Sequence, residues 1–267
     1  MNQAGRRLFM GIVLLALMAP LVVVAGVSVN AKKELLFPPR GFSLGWYLEL
    51  LTQADWLNAV RNSLIIAVLS ALLAVSIAFP LGYFLWRYKV WYARVLFTLG
   101  VAPFMLPPVI TALGFLLFWV NAGLYGNMIA TIISHAIFFV TLPLVTISLG
   151  LESIDRQIIE ASRMLGADDR TVFRTVILPM VRPYLISGYA FAFVLSLNEY
   201  IVAYMVAGFT VETLPIKIFN SLRYGYTPVM ASVAVVFVLV AILVFGLIAR
   251  FGDLPKLLGA WSSRETT

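Results

Sequence analysis

The sequence predicts an all-α membrane protein with six transmembrane helices, and three observations carry that prediction. Of 267 residues, 62% are hydrophobic and 12% charged, against about 25% charged in a soluble domain. Six apolar stretches, at residues 8–29, 62–86, 95–120, 127–149, 184–208 and 229–249, each reach the ~20 residues that one crossing requires. With both termini cytoplasmic, thirteen of the 19 Lys and Arg residues fall inside and six outside, the bias expected of inner loops. One membrane domain over residues 1–267 accounts for the length.

The same numbers exclude other classes. A net charge of +7 and a pI near 9.8 arise from basic residues scattered beside apolar runs, so nucleic acid is not an expected partner; membrane lipid is. The absence of cysteine rules out disulfides, thiolate metal sites and cysteine nucleophiles. A lone histidine without His-rich spacing gives no zinc site, and no metal is expected. No phosphate loop, nucleophile elbow or HExxH pair occurs, so the chain has no catalytic residues and is not expected to be an enzyme.

The first stretch follows Arg6 and Arg7 and ends in Val29-Asn30-Ala31. A cleaved secretory signal and a retained span both fit this pattern. Its length beyond the ~7–15 residues of a signal core favours a retained span with the N-terminus in the cytoplasm. Residues 30–61 begin with Pro38-Pro39 and continue with Trp46, Tyr47, Leu50, Leu51, Trp56 and Leu57 at near-helical spacing, which predicts an amphipathic segment at the outer interface. Arg87, Lys89 and Arg94 close the second span with no acid between them, placing that turn inside.

The third span holds Pro103, Pro107 and Pro108, which free the carbonyls of Leu99, Pro103 and Phe104. A kink for packing and a broken helix lining a transport pathway both fit. The fourth contains His135, read as an interhelical hydrogen-bonding residue rather than a proton relay because no acid of its own helix is placed to pair with it. In the fifth, Gly188, Ala192, Ser196, Glu199 and Ala203 form one small or polar face. An acid at this depth costs about 2.5–3.5 kcal/mol on insertion, so Glu199 should face the bundle interior or water with a partner. Glu199 is read as a pathway or gate residue in preference to a purely structural one. The sixth span is followed by a tail with Gly252 and Pro255 as helix stops.

Residues 151–183 form the longest polar interval of the chain. Gly166 is suited to end a helix that starts near Ser153 or Asp155, and Asp168 to cap a second that runs toward Pro179. Ile158, Ile159, Leu165, Val172, Phe173 and Val176 put apolar knobs on otherwise charged helices, which predicts a surface for a protein partner.

This loop resembles the signature of binding-protein-dependent ABC importer permeases: Glu-Ala-Ala, three residues, Gly, nine residues, Ile, one residue, Leu-Pro. Glu160, Ala161, Gly166, Leu178 and Pro179 stand at the matching positions, while Ser162 and Val176 replace the second alanine and the isoleucine. Phe37-Pro38-Pro39, Gly41-Phe42-Ser43, Trp46-Tyr47, Asn62-Ser63-Leu64 and the region from Leu197-Asn198-Glu199 to Leu214-Pro215 are similar to the second permease of the spermidine/putrescine branch.

The resemblance implies a type I ABC importer permease fold with a cytoplasmic coupling helix pair, multi-pass in the bacterial inner membrane. It implies a heterodimer with a second permease subunit, two ABC ATPase subunits below and an extracytoplasmic solute-binding protein above. ATP and Mg would belong to the partner ATPase, with no cofactor bound by this chain. Glu160, Ala161, Ser162, Gly166, Ala167, Leu178 and Pro179 would couple to the ATPase. Ser196, Asn198, Glu199, Tyr200, Pro107 and Pro108 are the expected substrate-pathway residues, with a polyamine or similar small cation as cargo. Ferric iron, opine or amino-acid-like solutes and phosphonates are alternatives within the class. A proton-coupled secondary transporter using Glu199 and His135 is the alternative outside it.

Overall fold

A proline pair and one buried acid mark where the third and fifth apolar stretches break. The computed structural model describes residues 3–88, 90–224 and 227–251, and within them the chain is helical with short connections and no strand. Lys89, Gly225, Tyr226 and the tail from Gly252, with its expected helix stops and the basic residues Lys256 and Arg264, lie outside the described residues.

Helix α1 (Gln3–Ser28) and helix α3 (Ala54–Tyr88) realise the first two stretches as unbroken helices, with the short α2 (Gly45–Thr52) between them. The third stretch is not one helix. Helices α4 (Trp91–Met105) and α5 (Pro108–Asn121) meet at a bend of 111°. Pro107 and Pro108 lack the amide hydrogens that would continue α4, and Pro108 instead opens α5 at the position where a missing donor does no harm. The fourth stretch is α6 (Met128–Phe139) and α7 (Thr141–Glu152), bent by 45°. Helices α8 (Arg156–Met164) and α9 (Asp169–Val172) follow in the polar interval.

A π turn at Phe173–Ile177 then leads directly into α10 (Leu178–Asn198), so the second polar helix does not stop at Pro179. Pro179 has no donor for the carbonyl four residues back. The wider turn absorbs the mismatch, with the Leu178 amide reaching back five residues to Phe173. The fifth stretch breaks again before α11 (Ile201–Ala207), and α12 (Leu214–Tyr224) and α13 (Val229–Phe251) complete the described chain. Among the described residues, α1, α3 and the continuous Asp169–Asn198 segment are each long and apolar enough to cross a membrane, and each bent pair qualifies as a broken span.

The chain divides into two compact units, one holding the chain up to Val60 with Ile216–Ile242, the other Arg61–Pro215 with the chain from Leu243. In the first, fully buried Asn30 organises the loop after α1. Its carboxamide accepts from the Lys32 and Arg40 amides and donates to the Glu34 carbonyl, and Trp46 Nε1 donates to its backbone oxygen at 2.7 Å. In the second, α10 packs closely on α7. A Cβ on Gly188 would stand 2.8 Å from Pro143 Cα and Thr146 Oγ1, and one on Gly150 2.5 Å from the Tyr184 ring. The small face read from residues 188, 192 and 196 is thus the buried face of α10.

Candidate functional site

Two clusters in the second unit contain most of the candidate residues. The first is the polar loop. Asp155 caps α8 by accepting from the Gln157 amide at 2.9 Å, and Asp168 caps α9 by accepting from the Thr171 amide at 2.9 Å. The Thr171 side chain and amide hold the Asp168 carboxyl below its usual range. Between the caps, Gly166 takes φ +85°; its amide donates to Arg163 O and that of Ala167 to Ser162 O, the paired bonds of a Schellman turn. A Cβ there would meet nothing within 4 Å, so glycine is required for its backbone and not for space.

Helix α8 buries none of its side chains, and Met164 and Leu165 at its end are both 89% exposed. Glu160 and Ala161 are exposed on α8, Ser162 and Ala167 half-buried, and Glu160 lines a cavity of about 360 Å³ with Arg87, Arg156, Arg163 and Asp169. Leu178 and exposed Pro179 lie on a different element, the first turn of α10. The loop is therefore one projecting helix and one anchored segment, the latter fixed by buried Val172 and Ile177.

The second cluster is buried. α10 ends at Asn198, and Glu199 adopts extended backbone torsions, ψ 128°. Its carboxylate turns forward over α11, accepting from the Val202 amide at 2.9 Å and the Ala203 amide at 3.0 Å. It thus supplies the first-turn acceptor that Tyr200, at the cap position, does not. His135 Nε2 of α6 stands 3.2 Å from the same carboxylate, with the Glu199 side chain 7% exposed and that of His135 1%. The approach is off the hydrogen-bond axis, so the contact is electrostatic.

His135 Nδ1 lies 2.8 Å from Ser196 Oγ, which accepts from Ser70 of α3 at 3.0 Å. The Ser196 hydroxyl, which accepts from Ser70, retains one donor and one lone pair for Nδ1, so it serves either imidazole tautomer.

Of the expected pathway residues, this geometry joins Ser196 and Glu199 through His135. Asn198 is exposed and donates to Val194 O of its own helix. Tyr200 stacks on Tyr204, ring centroids 5.4 Å apart. Pro107 and Pro108 are exposed at the α4–α5 bend, where Thr111 Oγ1 donates to one of the anticipated freed carbonyls, Pro103 O, at 3.4 Å. Ser70 and the pairing of His135 with Glu199 escape a reading by sequence. The partners come from three helices, and the only available signal was that a buried acid and a buried histidine each needed one.

Comparison with known proteins fits both clusters into one framework. Residues 78–253 match the family described as binding-protein-dependent transport system inner membrane component. The chain is 35% identical over 242 residues to the putrescine transport system permease protein PotI of Escherichia coli K12, covering 88% of this chain and 85% of the relative. It is 28% identical over 237 residues to the spermidine/putrescine transport system permease protein PotC of Haemophilus influenzae, covering 89% and 92%. Its fold is that of a chain from a bacterial ABC transporter involved in alginate import, with TM-score 0.70 and 18% identity over 94% of this chain and 98% of the other. With the family match extending over the loop and both sides of the buried cluster, the chain belongs to the binding-protein-dependent transport system inner membrane components, as a permease subunit.

Proposed function

We propose that the chain is one permease half of an ATP-driven importer of polyamines or a similar small cationic metabolite. It crosses the inner membrane six times with both termini in the cytoplasm, each bent helix pair counting as one crossing. The observation that carries the mechanism is the projecting α8, capped at both ends and with no fully buried side chain, with bare Met164 and Leu165 at its tip. An apolar tip on a charged helix is the chemistry of a protein-docking surface, and Glu160, Ala161, Ser162, Gly166 and Ala167 lie on or beside it.

In this reading two ATPase subunits, which carry ATP and Mg, hold that helix. A second permease completes the pathway, and a solute-binding protein delivers cargo from outside. Closure of the ATPase pair pushes on the loop, whose far end at Leu178 and Pro179 is the root of α10, and the spans rock between inward-open and outward-open. Polyamine cargo is supported by the names of the putrescine and spermidine/putrescine permeases. Tyr200, Asn198 and the α4–α5 proline break are the groups of this chain left to meet an ammonium group, which aromatic faces and carbonyl oxygens attract. Ser196 and Glu199 shape the pathway from behind by holding the α10–α11 break.

The test is reconstitution in liposomes with the candidate partners and uptake of labelled putrescine. ATP-dependent uptake that requires the binding protein is the expected result. Uptake of another cargo carried by that binding protein would reject the polyamine while leaving the importer reading intact. A second reading, proton-coupled transport by this chain alone, is favoured by the buried His135–Glu199 contact. It requires uptake by the single purified chain in a proton gradient without ATP, a result that would overturn the importer reading.

A further inference from the structure

Among the described residues, aromatic and ionic contacts fasten the loop to α3, and the two fastenings are adjacent. Phe173, first residue of the π turn, packs edge-on against Tyr83 of α3, centroids 5.4 Å apart and planes at 81°, and lies 6.1 Å from Phe79 one turn away. One oxygen of Asp169 is shared by two arginines: Arg163 of α8 at 2.6 Å and Arg87, in the last turn of α3, at 3.6 Å. The projecting helix, the anchored segment and the end of α3 therefore meet at one carboxylate and one ring.

We propose that Phe173 and Asp169 are positioning residues that transmit movement of α8 to α3, an inference that rests on the reading of residues 151–183 as the ATPase-coupling loop. The Schellman turn fixes α8 relative to α9, and the Arg163–Asp169 pair closes that angle from the side. A push on α8 is thus delivered as a displacement of α9 and the π turn. The outlet is α3, a single continuous helix of 35 residues that carries Pro80 within it, about 52 Å long. Farther along α3 stands Ser70, whose hydroxyl reaches Ser196 and through it His135 and Glu199. The loop and the buried cluster therefore lie at two points of one continuous helix, on either side of Pro80.

The two fastenings differ in weight. The Asp169 side chain is 76% exposed, where ion pairs contribute little. Phe173 is half-buried in the ring cluster and packed against the core, so it carries most of the transmission.

The experiment exploits the absence of native cysteine. Spin labels on Ser76→Cys of α3 and Thr98→Cys of α4, both exposed, report their separation in the assembled importer, nucleotide-free and vanadate-trapped with ATP. The unmodified loop should give a distance change between the two states. Phe173→Leu should reduce it at least ~twofold, Phe173→Tyr should restore it, and Asp169→Asn should give a smaller loss. No distance change in the parent protein, or an undiminished one in Phe173→Leu, overturns the proposal. A separate cross-link from Met164→Cys to the ATPase subunit checks the underlying reading. Its absence rejects the coupling loop, whereas its presence with an undiminished change in Phe173→Leu rejects only the transmission route.

Discussion

The polar loop and the Glu199 cluster invert ordinary amphipathicity in opposite directions. The loop leaves Met164 and Leu165 bare where water or a partner must meet them; the cluster sinks a carboxylate and an imidazole where hydrocarbon is the rule. Each departure has a cost, and the place where it is offset differs. Two backbone amides hold the carboxylate and the Ser70–Ser196 pair holds His135 Nδ1, all from within the chain. Nothing among the described residues covers the tip of α8. A site completed internally holds shape; a site left open keeps its apolar surface available.

Substitutions can break this contrast in graded ways. The largest effect is expected for Glu199→Ala, which strands the Val202 and Ala203 amides and the His135 ring in a buried setting, at about 1–3 kcal/mol for each unsatisfied group. Thermal unfolding of the detergent-solubilised chain should fall accordingly. Glu199→Gln keeps a carbonyl acceptor and should lose less; a transport defect in Glu199→Gln without loss of stability would support the pathway reading of this residue. Gly188→Val should cost about 1–3 kcal/mol by forcing a side chain into Pro143 and Thr146, measurable in the same melt.

Gly166→Ala meets open space and should cost only the left-handed backbone strain, about 1–2 kcal/mol. Gly166→Asn should cost less because asparagine tolerates that region, and equal losses for the two would argue for a steric role. The smallest effect is the Asp168 cap. Its carboxyl is held below the usual range, so its contribution is full above the unfolded pKa and fades as pH falls through the lowered folded value. Hydrogen exchange of the Thr171 amide should accelerate only in that acidic window.

The loop was legible because its signals are local. Asp155, Gly166 and Asp168 act within four residues of themselves, and the structure puts a cap, a left-handed turn and a cap where they stand. Apolar stretches were equally legible as helices, since composition alone demands internal satisfaction of the backbone. The bend at Pro107-Pro108 followed from the missing donors, although its 111° depends on what α5 packs against.

The break at Glu199 was not legible, because no proline or glycine marks it. It exists because a carboxylate caps α11, with a histidine 64 positions earlier in the chain beside it, a relation that no single-helix pattern contains. The second polar helix was expected to run toward Pro179; a π turn carries it on into α10.

The broken helices have a consequence for how the chain enters its bilayer. Helices α4, α5, α6 and α7 have 15, 14, 12 and 12 residues, each below the ~17 that a self-sufficient crossing needs. By contrast, α1 and α3, with 26 and 35 residues, are long enough to partition as each leaves the ribosome. Biogenesis should therefore proceed in two stages, an early one driven by hydrophobicity and a later one in which half-length helices are retained only by packing. A nascent chain cut after Tyr88 should resist alkaline extraction, while α4 should be open to protease in a chain cut after Met105 and protected in one cut after Glu152, which includes α6 and α7, the helices that α4 packs against.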